Sequence, residues 1–97
     1  MTYEIQKTRT FANWHHSLRD LRARIAIGRR IDRAYTGNLG DVKSVGEGVT
    51  EMRVDTGAGY RVYFTVRNRV VIVLLAGGDK SSQQDDIQLA RKLAREF

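Results

Sequence analysis

Six consecutive branched aliphatic residues, Val70-Val71-Ile72-Val73-Leu74-Leu75, constrain the fold more than any other feature of this sequence. A strand with one face in water alternates apolar and polar side chains. A run without alternation implies a strand covered on both faces, so it predicts an interior strand with helices packed against the sheet. Strands with period two precede it at Asp41 to Val45, Val49 to Asp55 and Tyr60 to Arg67, and Arg69 to Ala76 closes the set. Gly46-Glu47-Gly48 and Gly57-Ala58-Gly59 read as turns, and Asn68, which tolerates positive φ, predicts a tight hairpin between the last two strands.

The flanks of this sheet are helical. Phe11, Trp14, Leu18, Leu21 and Ile25 recur at three and four, the spacing of one buried stripe, after Thr8 or Thr10 as a cap. Asp20 can cap a second helix and divide the stretch into a helical hairpin. That second helix would bury Ala23, Ile27 and Ile31, with Ala34 or Tyr35, and stop at Gly37-Asn38. Thr2 to Gln6 suits a short first strand, and Ile87, Ala90, Leu93 and Ala94 predict a C-terminal helix within Gln83 to Phe97. The expected fold class is α+β: a short N-terminal strand, a two-helix hairpin, an antiparallel sheet of about four strands and a C-terminal helix. Residues 1–97 are expected to form one domain, since a chain of this size supports one core.

With no cysteine, disulfides and thiolate-ligated metals are excluded, and a reducing cytoplasm is the expected location. The longest apolar run is far short of the ~20 residues that span a bilayer, so no membrane role is expected. Seventeen Lys and Arg against eleven Asp and Glu give +6, a balance that favours a polyanionic partner. Arginine dominates the basic count, and its planar fork grips phosphate with two hydrogen bonds.

Alternation places Thr50, Met52 and Val54 on one strand face and Glu51, Arg53 and Asp55 on the other. In the next strand Tyr60, Val62, Phe64 and Val66 oppose Arg61, Tyr63, Thr65 and Arg67, so a polar sheet face is expected. If the two strands pair, Arg53 and Arg61 meet across the ladder, with Lys43 and Lys80 close by. Such a patch, with Tyr63, suits the charge that builds on phosphate oxygens during phosphodiester cleavage. The same residues could instead solvate the sheet or pair with Glu51 and Asp55, an alternative that composition does not separate. His15 and His16 are poor candidates for acid–base work: adjacent helical positions diverge by about 100°, and no third ligand suggests a metal. Gly77-Gly78-Asp79-Lys80-Ser81 lacks the glycine spacing of a nucleotide-binding loop, so no cofactor is expected.

Five motifs in order, Phe11-x-x-Trp14-x-x-x-Leu18-x-Asp20, Gly37-Asn38-x-Gly40-Asp41-x-Lys43, Gly46-x-Gly48-Val49-x-Glu51-x-Arg53, Gly59-Tyr60-Arg61-Val62-Tyr63-Phe64 and Leu75-x-Gly77-Gly78-Asp79-Lys80, resemble the HigB-like branch of the RelE/ParE toxin superfamily. The resemblance implies the RelE/ParE-like fold and the toxin of a type II toxin–antitoxin system. It implies a ribosome-dependent, metal-independent messenger RNA endoribonuclease that inhibits translation and is neutralised by a cognate helix-turn-helix antitoxin, the complex binding operator DNA. A ParE-like inhibitor of DNA gyrase is the alternative it leaves open. By residue, the resemblance matches Arg61 to the phosphate-stabilising arginine, Arg53 to the basic position of the preceding strand and Lys80 to the C-terminal basic position, with Glu51 a further catalytic candidate. Lys43, Tyr63 and Arg67 are the expected RNA or phosphate contacts. Two departures stand out: Ile87 lies where an active-site tyrosine is expected, and Glu51 occupies a position basic in RelE. Glu51, Asp79 and Lys80 are left as candidates for proton transfer.

Overall fold

The computed structural model describes residues 2–97. In chain order it contains β1 (Glu4–Lys7), α1 (Arg9–Ser17), α2 (Leu21–Tyr35), β2 (Val42–Ser44), β3 (Thr50–Val54), β4 (Tyr60–Arg67), β5 (Val71–Gly78) and α3 (Gln83–Arg95), with a 3-10 turn at Lys80–Ser82 before α3. The strands form one sheet in the order β1-β5-β4-β3-β2. β2, β3, β4 and β5 pair antiparallel in chain order, as expected, but β1 joins β5 in parallel, making the sheet five-stranded and mixed. The expectation of about four antiparallel strands is corrected in that respect. β1 covers the edge of β5 that β4 leaves open, a long-range pairing that alternation over a few residues cannot reveal.

β5 is covered on both faces. Ile72 and Leu74 pack with Phe11, Ile27, Ile31, Met52, Val62 and Phe64 under α1 and α2. Val73, Leu75 and Ala76 pack with Val49, Tyr63, Ala90 and Ala94 under α3. A bulge accounts for the break in alternation: Tyr63 pairs with Ala76 and Phe64 with Leu74, so Leu75 is the extra residue and shares the α3 face with Ala76. Thr8 fastens this point to α1. Its hydroxyl donates to the Leu75 carbonyl at 2.6 Å and accepts from the Phe11 amide at 3.0 Å, capping α1.

Asp20 caps α2 by accepting from the Ala23 amide, and the cap resets the helical phase. The single stripe from Phe11 to Ile25 is therefore corrected: Phe11 is buried, whereas Leu21 is 60 % and Ile25 48 % exposed. Ala23, Ile27, Ile31 and Ala34 form the buried face of α2, and Tyr35 lies outside it. The β4–β5 hairpin turns at Asn68 and Arg69, both with positive φ.

The third correction concerns the polar sheet face. α3 lies over it, so Glu51, Tyr63 and Thr65 are buried rather than solvated. Amphipathic spacing identified α3 as a helix but could not say which sheet face it covers.

Candidate functional site

The site lies where β3 and β4 end and β5 hands over to the 3-10 turn. Arg53 and Arg61 are direct partners in the β3–β4 ladder, and Glu51 pairs with Tyr63 one step along the same face. Gly59, at φ 76°, turns the chain into β4 and leaves its α-carbon bare against the Arg61 guanidinium and the stem of Lys80. A cleft of about 370 Å³ opens here, and Arg53, Tyr60, Arg61 and Lys80 line it together with Asp41 and Asp55.

Two arginines side by side on adjacent strands repel one another, and Glu51 is the counter-charge that holds them. Arg53 Nε donates to Glu51 Oε1 at 3.2 Å, and Arg61 Nε lies 3.7 Å from Oε2. The Tyr63 hydroxyl donates to Oε2 at 3.2 Å and the Gln83 amide, from the first turn of α3, at 2.9 Å. Burial alone pushes the Glu51 carboxyl upward. Donation from Gln83, Arg53 and Tyr63, with the charge of Arg61, more than reverses that and holds it below the usual carboxylate range. Burial first, then the Glu51 charge, pushes the Tyr63 phenol far up, so it remains a donor. Glu51 is thus ionised and saturated with donors, a poor proton acceptor but a firm brace.

The brace aims the cations outward. The Arg61 side chain, 12 % exposed, also donates through Nη1 to the Gly59 carbonyl at 2.6 Å, while Arg53 is 39 % exposed. Behind them Arg30 of α2 donates to the carbonyls of Arg53 and Leu39, tying α2 to the floor of the cleft. A site with two braced arginines and an exposed lysine can bind a phosphodiester and stabilise additional negative charge on its oxygens. Among the described residues no group of three or more His, Asp or Glu could hold a metal ion.

Of the residues singled out from the sequence, Arg53, Arg61 and Lys80 meet at the cleft, with Glu51 beneath them. Tyr63 is fully buried and serves Glu51. Lys43 is exposed on the edge strand β2, opposite Glu51 in register but outside the cleft lining. Arg67, six residues along β4 from Arg61 and so ~20 Å away, donates to the Ala94 carbonyl at the end of α3. Asp79 caps the 3-10 turn by accepting from the Ser81 amide and hydroxyl, which hold its carboxyl below the usual range. His15 lies away from the cleft, its Nε2 3.0 Å from the Arg24 carbonyl.

Sequence reasoning missed two residues. Tyr60, placed by alternation on the strand face opposite Arg61, packs at the edge of the core and also lines the cleft, its ring centroid 6.4 Å from that of Trp14. Its position directly after Gly59, at a strand end, was the available signal. Gln83 was read only as part of a helix start, and nothing in the sequence pairs it with Glu51.

The family model described as "Phage derived protein Gp49-like (DUF891)" matches residues 16–95. A Haemophilus influenzae protein described as uncharacterized is 50 % identical over 97 residues, covering 100 % of this chain and 98 % of that protein. A solved structure of the Escherichia coli toxin RelE, a variant with two arginines replaced by alanine in the free state, superposes with a TM-score of 0.73 over 100 % of this chain and 99 % of that chain. Sequence identity in that superposition is 14 %, so the likeness is one of fold.

Proposed function

This chain belongs to the phage-derived Gp49-like family and has a RelE-like fold, and from that premise we propose that it is the toxin of a type II toxin–antitoxin pair, an endoribonuclease that cuts messenger RNA on the ribosome. A cognate antitoxin neutralises it, and the complex binds operator DNA. The observation that carries this reading is the convergence of Arg53, Arg61 and Lys80 on one open cleft, with the two arginines ordered in advance by a buried carboxylate. The RNA 2′-hydroxyl attacks the adjacent phosphate, the bond from phosphorus to the 5′-oxygen of the next nucleotide breaks, and the proton of the attacking hydroxyl ends on that leaving oxygen, giving a 2′,3′-cyclic phosphate and a 5′-hydroxyl; the negative charge that develops on the phosphate oxygens falls on donors already in place. Arg61, the less exposed arginine, is the principal phosphate ligand; Arg53 and Lys80 complete the cradle. Glu51 acts through the arginines, and the ribosome supplies alignment of the message.

The test is induced expression of the wild type and Arg61→Ala, with growth followed and messenger RNA 5′ ends mapped. New ends within translated codons are expected for the wild type. The variant is expected to cut about 10² to 10³ less, the order of magnitude for losing one preorganised donor. Equal cleavage by Arg61→Ala would overturn the assignment of the site. Growth arrest with intact transcripts would overturn the ribonuclease reading in favour of a protein target such as gyrase.

A further inference from the structure

α2 carries charge that its own stability argues against. Five arginines, Arg22, Arg24, Arg29, Arg30 and Arg33, stand against the single Asp32, so this helix supplies +4 of the chain's +6. No acidic residue occupies its first turn, where Arg22 and Arg24 face the positive end of the helix dipole with only the Asp20 cap to offset them. Arg29 and Arg33 are a like-charged i,i+4 pair, a destabilising arrangement. Among the described residues none of these arginines forms an ion pair with a carboxylate, whereas Arg91 and Arg95 of α3 both pair with Glu47.

The positions are ordered in space. Arg22, Ala26, Arg29 and Arg33 follow i, i+4, i+7 and i+11, one stripe along the helix, with the three arginines ~10 Å and ~6 Å apart along the axis. All three are exposed. The stripe flanks the buried face on the side where Arg30 reaches β3. There a groove of about 250 Å³ is lined by Arg29, Arg33, Val54 and Asp55. Val54 and Asp55 also line the candidate catalytic cleft, so the two depressions share a wall, the start of the β3–β4 turn.

We propose that the Arg22–Arg29–Arg33 ridge of α2 is a docking surface for the phosphate backbone of folded, double-helical RNA, separate from the strand that enters the cleft. The proposal rests on the ribonuclease reading for its choice of RNA. Charge complementarity and continuity with the cleft support it: arginines spaced along one helix face meet successive phosphates while leaving the cleft free for a single strand. A contact of this kind reads backbone shape rather than sequence, as recognition of an A-form helix requires. Cleavage chemistry and docking then belong to different arginines.

The test compares the wild type, Arg61→Ala and the triple variant Arg22→Gln, Arg29→Gln, Arg33→Gln. Glutamine keeps the helix propensity of arginine. The probe is a fluorescent hairpin RNA with a stem of one helical turn, titrated at several salt concentrations beside a DNA hairpin of the same sequence. The triple variant is expected to bind the RNA hairpin about 10- to 100-fold more weakly, and its log–log salt slope is expected to be shallower by about 2 to 3, one unit per lost phosphate contact. Its thermal midpoint should be unchanged or higher, and Arg61→Ala, which removes one phosphate ligand from the cleft, should make the salt slope shallower by no more than about 1. Wild-type affinity and salt slope in the triple variant would overturn the proposal, as would a wild type that binds only the DNA hairpin. If the ridge governs hairpin binding while no wild-type transcript is cut in cells, the ribonuclease reading fails and the RNA surface stands.

Discussion

Replacing Glu51 by glutamine removes one charge from the centre of the site and changes almost nothing in shape. In the wild type its carboxylate is 1 % exposed and receives four contacts, from Arg53, Arg61, Tyr63 and Gln83. Breaking a buried pair by removing one partner costs about 3 to 5 kcal/mol, because the other charge is left uncompensated. Arg53 is 39 % exposed and water screens its share, so the cost falls below that range, to roughly 2 to 3 kcal/mol. At about 4 to 8 °C per kcal/mol for a domain of this size, the thermal midpoint at neutral pH should fall by ~10 to 20 °C. The pH dependence carries the sharper prediction. The folded-state pKa of Glu51 lies below its unfolded value, so its contribution is complete above the unfolded value and is lost as pH falls through the folded one. Melting curves of both proteins from pH 7 to pH 2 should therefore show a gap that is constant near neutrality and closes below about pH 4. A variant as stable as the wild type at pH 7, or a gap that stays open in acid, would refute the view that this carboxylate braces the two arginines.

Two further substitutions probe the frame around the site. Among the described residues nothing beyond its chain neighbours and its own helix backbone lies within 4 Å of where a β-carbon would stand on Gly28, and Gly28→Ala should stabilise α2 by about 1 kcal/mol, read as a rise in midpoint. A lower midpoint would mean that the open flank of α2 is occupied in solution. Gly77 is the opposite case, with the Trp14 ring standing where a β-carbon would go, so Gly77→Ala should cost about 1 to 3 kcal/mol by overpacking. Combining it with Trp14→Phe should cost less than the two separate losses together; additive losses would show that ring and strand do not press on each other.

The elements were legible where local chemistry announces them. The caps at Thr8 and Asp20, the period-two strands and the spacing of α3 each depend on residues a few positions apart, and each was readable. Arg53 and Arg61 were placed near each other because adjacent alternating strands joined by a short glycine turn have few registers open to them. Tyr63 and Arg67 share the Arg61 face, and alternation cannot separate their fates. α3 buries Tyr63 against Glu51, and the length of β4 carries Arg67 to the far end of that helix.

Period, capping and charge, which are local properties of the chain, were enough to specify an α+β protein with an apolar strand sandwiched between helices, a basic surface and two arginines on neighbouring strands. Packing in three dimensions was needed to lay β1 parallel to β5, to bring α3 over the supposed polar face, and to bury Glu51 at the meeting of β3, β4 and Gln83. Those outcomes depend on contacts between residues 12 to 67 positions apart, which nothing in a local pattern encodes. A carboxylate at a strand position otherwise expected to face water becomes a brace only because a distant helix excludes solvent from it, and that exclusion is a property of packing.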